Sequence, residues 1–211
     1  MLVVVAIAFR AGQLGGANQE VRRAVSTSTT PEQATGVGHW VIDRAHSELG
    51  FSIRHMMIAT VHGRFKEFEG YIDFDPADPS AASGEIDIKV ASIDTREEGR
   101  NNHLRSADFF DAEKYPEIHF KTTSVQPKSD REFKVTGDLT IRDVTKPVTF
   151  DVELAGIITD PYGKTRAGLS ATGSINRFDF GLTWNNVIET GALVAGDTVK
   201  ISVEIEATRA S

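Results

Sequence analysis

The sequence predicts an all-β fold: an eight-stranded antiparallel, up-and-down barrel with a helical lid insert after the third strand. Three observations carry that expectation. Apolar and polar side chains alternate along nearly every segment, most cleanly in Thr198-Val199-Lys200-Ile201-Ser202-Val203-Glu204-Ile205-Glu206. Turn-forming clusters such as Asp75-Pro76-Ala77-Asp78-Pro79 and Asp160-Pro161-Tyr162-Gly163 punctuate the alternation. The two-residue period breaks only once, near the middle of the chain. A strand with one dry face must bury it. A sheet built of such strands packs on another sheet or closes on itself.

The elements follow in order. The first extended segment covers residues 39–55, with Phe51, Ile53 and His55 on one side and Ser52 and Arg54 on the other. The second covers 61–74, with Phe68, Gly70, Ile72 and Phe74 in phase. In the third, 84–93, Ile86, Ile88 and Val90 alternate with Asp87 and Lys89. Thr95-Arg96-Glu97-Glu98 then reads as a capping box, with Thr95 accepting an amide bond and Glu98 reaching back. The spacing predicts a helix over 96–105. Ser106 caps a further turn that carries Phe109 and Phe110, and Tyr115-Pro116 ends it.

Strands then resume. The fourth holds Ile118, Phe120 and Thr122, and the fifth Phe133, Val135, Gly137, Leu139 and Ile141. A turn over 142–146 leads to the sixth, with Val148, Phe150, Val152 and Leu154. The seventh spans 166–178 and the eighth 197–208. Residues 182–196 between them are too many for a tight hairpin and are expected to form a rim loop.

Composition narrows the function. The 211 residues suffice for one all-β domain with a substantial core. A net charge of −7 argues against a nucleic-acid partner. There is no cysteine, hence no disulfide and no thiol chemistry. No apolar run approaches the roughly 20 residues of a membrane span, so no integral membrane segment is expected. Residues 1–38 are expected to be a disordered N-terminal extension, rich in Gly, Ser, Thr, Gln and Ala, ahead of a barrel over 39–211. Residues 1–9 look like a short signal segment but lack a basic start and a following A-x-A site. A mis-assigned start near Val25 and a cytoplasmic protein is the first expectation. Export to the periplasm or beyond is the alternative.

The inward-facing set by parity is Phe51, Ile53, Phe68, Ile72, Phe74, Ile86, Ile88, Val90, Phe120, Phe133, Leu139, Phe150 and Ile175. Leu104, Phe109 and Phe110 join it from the helical insert, and Phe180 from the last corner. Periodicity alone leaves two readings open, a solid core and a hollow one.

Polar candidates are few. His46, His55, His62 and His103 show no H-x-x-x-H or HExxH spacing, and no metal is expected. Ser47 beside His46 with Asp43 upstream does not make a hydrolase triad, since adjacent strand residues point to opposite faces. No G-x-S-x-G elbow is present either. His46, His55 and His103, with Arg105 or Asp108, are expected at the cavity end, where they meet a ligand head group. No catalytic residue and no cofactor is expected. Two alternatives stand beside a binding role: an enzyme acting on a small hydrophobic substrate through His103, Asp108 or His55, and a packed barrel serving protein contact.

Five stretches carry a resemblance. They are Trp40-Val41-Ile42-Asp43-Arg44-Ala45-His46-Ser47 with Phe51 and His55; His62-Gly63-Arg64-Phe65 with Phe68 and Gly70; His103-Leu104-Arg105-Ser106-Ala107-Asp108-Phe109-Phe110-Asp111 with Tyr115-Pro116 and Phe120; Gly137-Asp138-Leu139-Thr140-Ile141 with Thr145-Lys146-Pro147-Val148; and Asn176-Arg177 with Phe180-Gly181. In order and spacing they resemble the YceI family of lipocalin-like, polyisoprenoid-binding proteins, across 39–208. The resemblance implies an eight-stranded barrel whose apolar interior holds an amphiphilic isoprenoid, a polyprenyl or quinone-like lipid, and it implies a homodimer. It tips the reading of the inward set from a solid core to a cavity. Many family members carry clear periplasmic signal peptides, and this chain departs from them there.

Overall fold

The computed structural model describes residues 37–185 and 194–210. The expected N-terminal extension, save Val37 and Gly38, and the centre of the expected rim loop lie outside them. The strands are β1 (Gly38–Ile42), β2 (Glu48–His55), β3 (Ala59–Phe65), β4 (Phe68–Asp75), β5 (Asp78–Lys89), β6 (Ile93–Asp94), β7 (Glu117–Pro127), β8 (Glu132–Ile141), β9 (Val144–Thr159), β10 (Thr165–Asn176) and β11 (Ala195–Arg209). The helix α1 (Glu98–Arg105) lies between β6 and β7.

Every strand pairs antiparallel with its neighbours. The order β1-β4-β5-β7-β8-β9-β10-β11 closes through a β1–β11 pairing, Trp40 opposite Arg209. Eight strands therefore form the ring. β2, β3 and β6 continue the wall from β11, which pairs with β2 along Leu49–Ile53 before it reaches β1.

The helix was expected after the third strand, and it follows β6 instead. The first three extended segments are each broken in two. Asp43 interrupts the first: its carboxylate accepts from Ala45 N (3.0 Å) and caps a 3-10 turn over Arg44–His46. Ser92 interrupts the other two together. Its buried hydroxyl accepts from Lys66 N (3.1 Å) and Glu67 N (3.0 Å) and donates to Lys89 O (2.7 Å). One side chain thus satisfies backbone groups freed at two adjacent kinks.

The helix cap also differs from the expectation. Glu97, not Thr95, caps α1, accepting from Gly99 N and Arg100 N. Thr95 is drawn away: its hydroxyl donates to Asn101 Oδ1 (2.7 Å) and accepts from Arg100 Nε (2.8 Å). Glu98 accepts from Arg105 and Asn101 rather than reaching back.

The core forms two clusters. One gathers Trp40, Ile42, Leu49, Phe68, Phe74, Ala167, Ile205 and Ala207. There Trp40 is fully buried and stacks on Phe74 with ring centroids 4.9 Å apart. The other gathers Val90, Ile118, Leu139, Ile141, Val148, Phe180 and Leu182.

Inward-facing glycines decide how far the aromatic rings project. A Cβ on Gly63 would lie 2.3 Å from Phe51 Cζ, and one on Gly137 2.3 Å from Phe120 Cζ and 2.5 Å from Lys121 O. A Cβ on Gly173 would lie 2.6 Å from Phe150 Cδ1. Each ring lies flat against bare backbone instead of pointing across the barrel. Gly137→Ala meets both a ring and a fixed carbonyl, so the wall must shift. It is expected to lower stability by about 1–3 kcal/mol, read as a shifted urea midpoint.

Candidate functional site: an apolar barrel interior

The interior is hollow. A cavity of about 640 Å³ runs through the barrel. That is far beyond the water-sized voids of a packed core and falls within the size range of ligand sites. Its wall is apolar along most of its length. β2 contributes Phe51 and Ile53, β4 Ile72 and Phe74, and β5 Ile86 and Ile88. Phe120, Phe133, Leu139, Phe150 and Ile175 come from β7 to β10, and Val199, Ile201, Val203 and Ile205 from β11. Strand parity explains the set, since alternate residues of each strand face inward.

The wall turns polar at the α1 end. Thr95, Gly99, Arg100, His103 and Leu104 border it from α1 and its approach, and Phe109 and Phe110 from the following turn. The His103 ring meets Trp184 edge-on at 4.6 Å and Phe109 at 5.1 Å. Arg177 joins the same cluster, donating to Trp184 O (2.8 Å) and Gly196 O (2.7 Å), and also to Leu182 O. The residue is 2% exposed, and its guanidinium lies over the Phe178 face at 4.4 Å. Burial pushes the Arg177 pKa below its ordinary value, and Asp197 opposes that shift. Arg54 and His55 complete this end. Among the described residues, the one carboxylate residue along the wall, Glu85, pairs with Lys121 at 2.7 Å.

The structure places the expected site residues in three groups. Phe51, Ile53, Ile72, Phe74, Ile86, Ile88, Leu104, Phe109, Phe110, Phe120, Phe133, Leu139, Phe150 and Ile175 border the cavity, as do His55 and His103. Phe68, Val90 and Phe180 do not: they are buried in the two core clusters. Parity sends a side chain inside the barrel without saying whether it meets a void or a neighbour.

His46, Arg105 and Asp108 also stand away from the wall. Arg105 ties α1 to β6, donating to Ala91 O (2.9 Å) and Ile93 O (3.2 Å). Asp108 faces outward and pairs with His103 Nε2 at 3.0 Å. His46 sits on the surface beside Asp43, Glu206 and Arg166.

That last group brings ligating atoms of Asp43, His46 and Glu206 within 4.8 Å of one another. Arg166 donates to Asp43 Oδ2 (3.0 Å), Asp160 Oδ2 (2.7 Å) and Glu206, so protein already supplies the positive charge there. The His46 hydrogen bond, followed by Arg166, holds the Asp43 carboxyl below the usual carboxylate range. The same bond raises the His46 pKa.

Several wall residues were missed by the sequence reading. Phe65, in phase with Val61 and Gly63, was legible by the same alternation, and so was the whole inner face of β11. Trp184 and Arg100 had no periodic signal.

Fold and site define a class first: a closed antiparallel β-barrel around an apolar hollow of ligand size. The chain belongs to the YceI-like domain family, whose model matches residues 40–207. A UPF0312 protein of Staphylococcus aureus (strain N315) is 39% identical over 169 residues, covering 80% of this chain and 96% of the relative. Burkholderia cenocepacia BcnA shares the fold with a TM-score of 0.70 at 28% identity, covering 79% of this chain and 99% of its own. A polyisoprenoid binding domain from Saccharophagus degradans does so with a TM-score of 0.62 at 14% identity, covering 83% and 100%.

Proposed function

We propose that the barrel binds an amphiphilic isoprenoid lipid, polyprenyl or quinone-like, and stores or carries it without chemically changing it. The apolar cavity of about 640 Å³ is the observation that carries this reading. The Saccharophagus degradans barrel of the same fold, described as polyisoprenoid-binding, supports it. The tail occupies the apolar length, and the head group lies at the α1 end among His55, Arg100 and His103. α1 acts as the lid, so release requires it or the 182–196 connection to move. The protein works as a homodimer.

Energetics favour a prenyl tail. At roughly 0.8 kcal/mol per buried methylene, one isoprene unit contributes about 3–4 kcal/mol before ordering costs. A few units suffice for tight binding without polar recognition. Solvent extraction of the purified protein followed by mass spectrometry is expected to release a prenyl lipid. A protein that is repeatedly lipid-free and also refuses added prenol overturns the reading.

A further inference from the structure

The β2–β3 hairpin turns through Met56-Met57-Ile58. Ile58 N donates to His55 O at 3.1 Å, so Met56 and Met57 are the two central turn residues. Both sit in the left-handed region, at φ 48° and 61°. Such turns favour Asn-Gly, because side chains with a Cβ are strained there. This chain instead carries two apolar side chains in the strained positions and a third beside them. Met57 is 63% exposed and Ile58 82% exposed. An apolar tip kept against both solvation and backbone preference points to something that covers it.

Charge says what covers it. Residues 51–66 contain no Asp or Glu, but include Arg54, His55, His62, Arg64 and Lys66, in a chain of net charge −7. At the hairpin base Arg64 lies near Glu48 and Asp94, and Lys66 near Asp94. Nearer the tip, Arg54 donates to Met57 O and Thr60 Oγ1. Among the described residues no carboxylate pairs with Arg54, His55 or His62. An apolar point backed by the Arg54 guanidinium, on a hairpin with no carboxylate from 51 to 66, matches the interface of an anionic bilayer, where apolar groups enter the acyl boundary and cations meet the head groups.

Position adds the reason for such a contact. Arg54 and His55 belong both to this hairpin and to the polar end of the cavity wall. Met56 N donates to Val194 O at 2.9 Å, fixing the tip beside the start of β11, where Val194 and Ala195 also border the cavity. By contrast, the exposed Tyr162 lies beside Asp160, at the other end of β10.

We propose that the Met57–Ile58 tip docks this end of the barrel on an anionic lipid bilayer. Docking sets the polar end of the cavity against the membrane, so an apolar tail enters without crossing water. The loading role rests on the lipid-binding reading above, whereas the docking itself does not.

The test pairs the full chain with a Met57→Asn/Ile58→Thr variant. Asparagine suits the positive φ, so the variant keeps its fold. Co-sedimentation uses vesicles of phosphatidylglycerol and phosphatidylcholine in equal parts, against phosphatidylcholine alone. The native chain is expected to bind the anionic vesicles, and the variant to bind them about 10-fold more weakly or worse, the scale set by losing two buried apolar side chains. Prenol uptake from ethanol is expected to be equal in both. A native chain that ignores anionic vesicles overturns the proposal, as does a variant that binds them equally well. Loss of self-association with vesicle binding intact also overturns it, and marks the tip as a protein contact. If neither protein takes up prenol but vesicle binding still falls, docking is upheld and the lipid-binding reading fails.

Discussion

Arg177→Met is expected to lower the free energy of unfolding by about 3–5 kcal/mol. The residue is almost wholly buried, and its guanidinium donates to the carbonyls of Leu182, Trp184 and Gly196, with a longer contact to Ala195 O at 3.4 Å. It therefore clamps both ends of the 182–196 connection to the corner after β10. Methionine fills much of the same length but donates nothing, and each buried carbonyl left without a donor costs about 1–3 kcal/mol. The opposing effect is relief from burying a cation. That relief is modest for a weakly hydrated guanidinium resting on Phe178, so the orphaned acceptors dominate. Since whole domains are stable by only about 5–15 kcal/mol, the loss is large. Arg177→Lys is expected to fall between the two, because an ammonium has three donors at one point and cannot span carbonyls on two chain segments. Urea denaturation at constant slope measures both variants. A loss under about 1 kcal/mol for methionine would show that those carbonyls do not depend on Arg177.

Ala171→Trp is expected to empty the barrel of ligand while leaving it folded. Ala171 faces inward in the middle of β10, opposite Val152 and Val203, which also border the cavity. An indole there extends into open volume rather than into packed neighbours. Overpacking a filled core costs about 1–3 kcal/mol, and a void of about 640 Å³ leaves room to stay at or below the low end. The ligand instead loses its path along the barrel. Lipid recovered by solvent extraction is expected to fall about 10-fold or more, equivalent to about 1.4 kcal/mol or more of lost binding free energy. Compared with the lipid-free native chain, the melting temperature is expected to fall by no more than about 2–4 °C. A full lipid load with the indole in place would mean that the ligand lies somewhere other than the barrel interior.

Much of the architecture was legible because strand parity is a local property. Phe51, Ile53, Ile86, Ile88 and Phe150 face inward for the same reason Val199, Ile201 and Val203 do: each is two residues from the next. The turns at Asp160 and at Arg142-Asp143 were legible for an equally local reason. The kinks in the second and third segments were not, because Ser92 makes them together by bonding amides about 25 residues away in sequence. The shifted helix cap was hidden likewise. Thr95 is a good capping residue on its own, but Arg100 and Asn101 occupy its hydroxyl. Phe68 and Val90 show the limit of the alternation rule, since a plugged layer and a hollow layer of a barrel have the same pattern.

The sequence by itself determined an all-β chain with one helical interruption and the side of each strand that avoids water. Those properties follow from periods of two residues and from turn chemistry, which neighbours in the chain settle among themselves. Only the tertiary structure decided that the interior is hollow. Phe51, Phe120 and Phe150 lie flat over Gly63, Gly137 and Gly173 on other parts of the wall, and the space they leave open depends on contacts made after the barrel closes.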